Sequence, residues 1–104
     1  MHAVIQDKQA LLQRLLSHQS EIKSFGVRQL GLFGSFAKGD AIHENSDVDF
    51  LVEFEKGQKT FDNFMELSFY LESLLGRKVE LVTPQSLSPY IGPVIIKEVV
   101  NVIQ

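Results

Sequence analysis

Gly34-Ser35-Phe36-Ala37-Lys38-Gly39-Asp40, followed by Ser46-Asp47-Val48-Asp49, links two apolar runs, 29–33 and 47–54. The first run ends in a glycine-serine turn. The second opens with two carboxylates one residue apart. Alternate side chains of an extended strand share a face, so Asp47 and Asp49 point the same way, about 7 Å apart along the strand. Carboxylates so placed can hold one or two hard divalent cations. Mg²⁺ takes one or two protein carboxylates and completes its shell with waters and phosphate oxygens. The Gly34-Ser35 turn suits a phosphate, because glycine lets backbone N–H groups approach and the serine hydroxyl adds a donor. Turn and carboxylates together point to a site for a nucleoside triphosphate and its metal.

Outward from this stretch, the same alternation predicts a one-sided sheet. Val48, Phe50, Val52 and Phe54 alternate with Asp47, Asp49, Leu51 and Glu53. In a later apolar run, 78–82, Val79 and Leu81 alternate with Glu80 and Val82. If Val79 and Leu81 join Val48 and Phe50 beneath helices, Glu80 emerges on the face of Asp47 and Asp49. Three acids on one surface repel and raise each other's pKa, a conflict that a cation removes.

The remaining elements follow from periodicity and punctuation. Val4, Leu11, Leu12, Leu15 and Leu16 lie near helical spacing and predict a helix over 3–16, broken in 17–20. A further turn over 21–25 is stopped by Gly26. Residues 27–33 form the first strand, a short helix lies near 36–38, and 41–46 is a polar loop. Thr60 is placed to cap a helix over 61–75, with Asp62 in its first turn and Gly76 just past its end. Pro84 ends the third strand, and 86–97 is helical in part, with Pro93 in a first turn. Residues 99–103 fit a helix end or a short strand equally well. Strands alternating with helices indicate an α/β or α+β domain, and the length predicts one domain over 1–104.

Composition narrows the function. The chain has no cysteine, which excludes disulfides, thiol catalysis and cysteine-ligated zinc. No basic-then-apolar leader is seen, and no apolar run nears the roughly 20 residues that span a bilayer; a soluble cytoplasmic protein is expected, with no membrane partner. The net charge is −3 and the ten Lys and Arg residues are scattered. A duplex-binding protein carries a basic stripe for the phosphates, so nucleic acid is not expected as the main ligand.

The run from Leu32-Phe33-Gly34-Ser35 through Lys38-Gly39-Asp40 to Ser46-Asp47-Val48-Asp49-Phe50-Leu51-Val52 resembles the minimal nucleotidyltransferase family, within the DNA-polymerase-beta-like superfamily. The likeness continues through Leu74-Leu75-Gly76-Arg77-Lys78-Val79-Glu80-Leu81-Val82-Thr83-Pro84 and covers most of the chain. Two departures stand out. The family's third carboxylate is usually aspartate and here is Glu80. The spacer between Ser35 and Asp47 is one residue longer than common, in Ala41-Ile42-His43-Glu44-Asn45. Members are small prokaryotic proteins, often antitoxins beside a HEPN-domain toxin. The resemblance implies a small mixed sheet with helices on one face. It also implies transfer of AMP from ATP, with Mg²⁺ in two positions, to a hydroxyl of such a toxin, a tyrosine above all.

On that footing Gly34, Ser35 and Lys38 are the candidate nucleotide-binding residues. Asp47, Asp49 and Glu80 are the candidate metal ligands and catalytic carboxylates, with Glu80 also a candidate general base. Ser46 shapes the turn before Asp47, and His43 faces solvent. Phe61, Phe64, Phe69, Leu71 and Leu74 are read as helix core, and Arg77 and Lys78 as a solvated pair. The apolar tail Val94-Ile95-Ile96-Lys97-Glu98-Val99-Val100-Asn101-Val102-Ile103 predicts a protein interface, with a HEPN-domain partner in a hetero-oligomer or, failing that, self-association. The alternative function is a catalytically weak nucleotidyltransferase-fold module that neutralises its partner by occlusion. A transferase acting on an antibiotic or an RNA end is a third reading, for which the chain offers no acceptor domain.

Overall fold

The computed structural model describes residues 4–39 and 46–104. Four strands rich in valine, leucine and phenylalanine form its sheet: β1 (Val27–Phe33), β2 (Val48–Phe54), β3 (Val79–Val82) and β4 (Val100–Ile103). Their order is β3-β2-β1-β4. β1 is antiparallel to both β2 and β4, whereas β2 and β3 are parallel. A parallel pair needs a crossover, and the helix α4 (Phe61–Leu75) supplies it. The sheet is therefore mixed, as expected. The tail 99–103, open between helix and strand from its composition, pairs with the free edge of β1 as β4.

α1 (Lys8–Ser17) begins later than the apolar spacing predicts. The Asp7 carboxylate accepts the Ala10 N–H at 2.8 Å and caps the helix. Aspartate gains more at a cap than inside a helix, and that preference outweighs the periodic signal of Val4. Val4 is exposed, while Ile5 is buried and its N–H bonds to the Leu75 carbonyl at 2.9 Å. α1 breaks at His18, α2 (Gln19–Lys23) follows, and Gly26 at φ 85° turns the chain into β1. α4 starts and stops where its signals lie. Thr60 Oγ1 accepts the Asn63 N–H at 3.1 Å, and Gly76 at φ 69° ends the helix with its N–H on the Glu72 carbonyl.

One face of the sheet carries the core. Leu30, Leu32, Val48, Phe50, Val52, Val79 and Leu81 pack with Leu11, Leu15, Ile22, Leu67, Leu71, Leu74 and Leu75. Each fully buried leucine or phenylalanine contributes about 1.5–3 kcal/mol relative to exposure. Phe64 joins this core, but Phe61 and Phe69 do not: they are 78% and 61% exposed. The apolar stripe of α4 is centred on Leu67, Leu71 and Leu74, and at 100° per residue Phe69 falls on the far side. A Glu72 Oε2 acceptor at 3.1 Å from the Val79 N–H secures the start of edge strand β3.

The other sheet face is only partly open. Phe33, Leu51 and Val82 are half-buried. Gly31 is buried there because a Val99 methyl occupies the space of its missing side chain, 2.4 Å from where a Cβ would stand. A 3₁₀ turn (Pro84–Ser86) and the short helix α5 (Gly92–Glu98) lead into β4. Among the described residues no helix is long and apolar enough to cross a membrane.

Candidate active site

The site is assembled where β1 ends. Phe33, the last residue of β1, pairs with Asp49, and Asp49 in turn pairs with Glu80 across the parallel β2–β3 ladder. Asp49 and Glu80 are therefore neighbours on one sheet face. Asp47 stands just ahead of β2 with the parity of Asp49. Asp47 and Glu80 are exposed and Asp49 is half-buried. Burial first, then the charges of Glu80 and Asp47, pushes the Asp49 carboxyl up to about 6 from its ordinary 3.8. Both flanking carboxylates are thus close enough to be felt by the third.

The turn after β1 packs directly on Asp49. Gly34 adopts φ 77°, ψ −155°, a region nearly confined to glycine. A Cβ at Gly34 would stand 2.3 Å from Asp49 Oδ2. The chain thus needs glycine here twice over, for the backbone angle and for the approach of main chain to carboxylate. Beyond the turn lies α3 (Ser35–Lys38). Its Phe36 and Ala37 side chains are buried in the core, which anchors this one-turn helix and leaves Ser35 half-buried at its start. The Ala37 and Lys38 N–H groups donate to the Gly34 carbonyl at 3.1 and 3.2 Å. The N–H groups one turn earlier have no intrahelical acceptor. Lys38 is exposed at the far end of α3, and Gly39 at φ 78° closes it. Gly34, Ser35, Asp49 and Glu80 are thus brought side by side, with Asp47 at the rim and Lys38 one helical turn away. Asp40 and the loop 41–45, with His43, lie outside the described residues.

Arg77 is the residue that the sequence reading misplaced. Lys78 is exposed as expected, but Arg77 is half-buried. Its Nη1 donates to the Ser46 carbonyl at 3.2 Å, its Nε donates to the Ile5 carbonyl, and its guanidinium carbon lies 5.0 Å from the centroid of the Phe36 ring. These contacts are distant in sequence, so no local pattern announces them.

The donor set suits a hard divalent cation. It is all oxygen and acidic, and Asp49 bears a repulsion that a cation would reverse. Among the described residues no three His, Asp or Glu side chains form a ready-made cation cage. Mg²⁺ does not need one, since one or two carboxylates with substrate phosphates complete its shell.

Residues 12–102 match the family model of the nucleotidyltransferase domain. Protein adenylyltransferase MntA of Thermococcus cleftensis is 46% identical over 89 residues, which span 85% of this chain and 88% of that protein. A solved minimal nucleotidyltransferase superposes with a TM-score of 0.78 at 34% identity, covering 90% of this chain and 94% of the other. A toxin-antitoxin structure with AMP-PNP shares the fold, at 24% identity and a TM-score of 0.64, over 88% of this chain and 71% of that one.

Proposed function

The chain belongs to the nucleotidyltransferase domain family of enzymes, and from that premise we propose that it transfers AMP from Mg·ATP to a hydroxyl of a partner protein. The observation that carries the proposal is the close approach of the Gly34 backbone to Asp49 beside Glu80, which sets a glycine-serine turn against paired carboxylates.

In the proposed reaction the Gly34–Ser35 turn and the Ser35 hydroxyl bind the triphosphate, and Lys38 offsets its charge. Asp47, Asp49 and Glu80 would hold Mg²⁺, two ions in this proposal, together with the phosphates, and the metal would supply charge neutralisation at the attacking and leaving oxygens. The acceptor oxygen forms a bond to the α-phosphorus. The bond from that phosphorus to the oxygen bridging the β-phosphate breaks, and pyrophosphate leaves with the electron pair. The hydroxyl proton passes to a Glu80 carboxylate oxygen. Rate then comes from alignment and electrostatic stabilisation rather than from a covalent enzyme intermediate.

The proposed acceptor is a tyrosine of a HEPN-domain toxin in the cytoplasm, with this chain as its antitoxin. The relative named protein adenylyltransferase and the toxin-antitoxin neighbour with AMP-PNP support that class of acceptor and nucleotide. Neutralisation by occlusion is the rival. It is favoured by the exposed Tyr90, Ile91, Val94 and Ile96, which offer a binding surface independent of chemistry. An Asp49→Asn variant separates the two. Occlusion leaves the variant a working antitoxin, whereas the transferase account requires it to bind the toxin and fail to modify or silence it.

A further inference from the structure

Arg77 carries no role in the chemistry above, yet it touches the chain next to each part of the site. Ser46, whose carbonyl it holds at 3.2 Å, immediately precedes Asp47. Phe36, whose ring it covers at 5.0 Å, immediately follows Ser35. Arg77 itself leads into β3 and Glu80, where the neighbouring Lys78 carbonyl accepts the Val48 N–H at 3.0 Å. Its third contact, with the Ile5 carbonyl, ties this corner to the N-terminal segment.

A half-buried guanidinium is a costly way to fill space alone, because its polar atoms must all be given partners. An aliphatic side chain would avoid the desolvation. What only a guanidinium does is bond two carbonyls in a fixed fork while its flat face stacks on an aromatic ring. These contacts bear on the segment before β2, on α3 and on the N-terminal segment, while Arg77 itself stands just ahead of β3.

We propose that Arg77 is a positioning residue: from the helix side of the sheet it sets the spacing between the Gly34–Ser35 turn and Asp47. The inference rests on the transferase reading. It concerns rate more than substrate affinity, because the turn that grips the triphosphate keeps its own support in Gly34 and the buried Ala37. Asp47 lies just outside the strand ladder, next to the Ser46 carbonyl that Arg77 holds.

Arg77→Met and Arg77→Lys test it, with pyrophosphate release from Mg·ATP measured in the presence of a HEPN-domain protein as the proposed acceptor. Melting curves fix a temperature at which each variant is folded. The expected result for Arg77→Met is a kcat lower by about tenfold to 100-fold, the range that a misplacement near 1 Å produces. The KM for ATP should change far less, and the Mg²⁺ concentration for half-activity should rise. Arg77→Lys, with one compact charge, should recover part of the loss. Phe36→Leu, which keeps the apolar burial and removes the stacking ring, should lower kcat in the same direction and serves if Arg77→Met does not fold. Wild-type kcat and Mg²⁺ dependence in the folded variants, with only the melting temperature lowered, would overturn the inference and leave the transferase reading intact. A wild-type protein that releases no pyrophosphate would overturn both.

Discussion

Gly34 and Asp49 show how much one residue pair can decide. Gly34→Ala must place a methyl 2.3 Å from Asp49 Oδ2 while holding φ at 77°. Strain of this kind costs about 1–3 kcal/mol. We expect the melting temperature to fall by roughly 4–8 °C for each kcal/mol, with transfer lost, as a thermal melt and an activity assay can check. Asp49→Asn should act in the opposite sense on stability. With its carboxyl pushed up to about 6 from 3.8, Asp49 binds its proton more tightly in the fold than in the unfolded chain. Its contribution is therefore most favourable below pH 4 and is lost as pH rises through about 6. The asparagine variant should melt higher than wild type at pH 7.5 in the absence of divalent cation, and its advantage should disappear below pH 4. An equal gap at both pH values would show that repulsion is not the cause. The glycine turn and the shared face of Asp49 and Glu80 were legible in the sequence because each follows from a local rule of conformation or parity. Arg77 was not, because its partners Ile5, Phe36 and Ser46 come from three other segments.

Elements obeyed their caps more faithfully than their apolar spacing. α4 runs between Thr60 and Gly76 as their chemistry requires, while α1 starts at the Asp7 cap and not where Val4 extends the pattern. The alternation in β2 and β3 correctly placed Val48, Phe50, Val79 and Leu81 in the core and left Asp49 and Glu80 as ladder partners on the other face. The phenylalanines of α4 were harder to place, because hydrophobicity alone does not tell the centre of a stripe from its margin. Unfolding in urea should expose that distinction. Leu71→Ala empties a fully buried position and should cost about 2–5 kcal/mol. Phe69→Ala should stay within about 0.5 kcal/mol of wild type. A comparable loss at Phe69 would mean that α4 is rotated from the packing described. Thr60→Ala removes the cap and should cost about 1 kcal/mol.

At the scale of the whole molecule, the helices satisfy one sheet face and leave α5 peripheral. Gly92 is the buried residue of α5, whereas Tyr90, just before it, is 91% exposed and Ile91 and Val94 are more than half exposed. The apolar tail expected as an interface therefore divides in two: β4 completes the sheet, and the segment around α5 remains available to a partner. Val94→Asp should leave the melting temperature unchanged and weaken the proposed complex with a toxin partner, as size-exclusion chromatography with light scattering can establish. In the proposed reaction, docking of the partner at this surface brings an acceptor hydroxyl to Ser35, Asp47 and Asp49 for AMP transfer. Its most direct test is the intact mass of the HEPN-domain partner after incubation with Mg·ATP and either wild-type protein or Asp49→Asn. The expected result is a gain of one or more AMP units with the wild type and none with the variant. An unmodified partner that the wild type nonetheless silences, or equal modification by the variant, would contradict it.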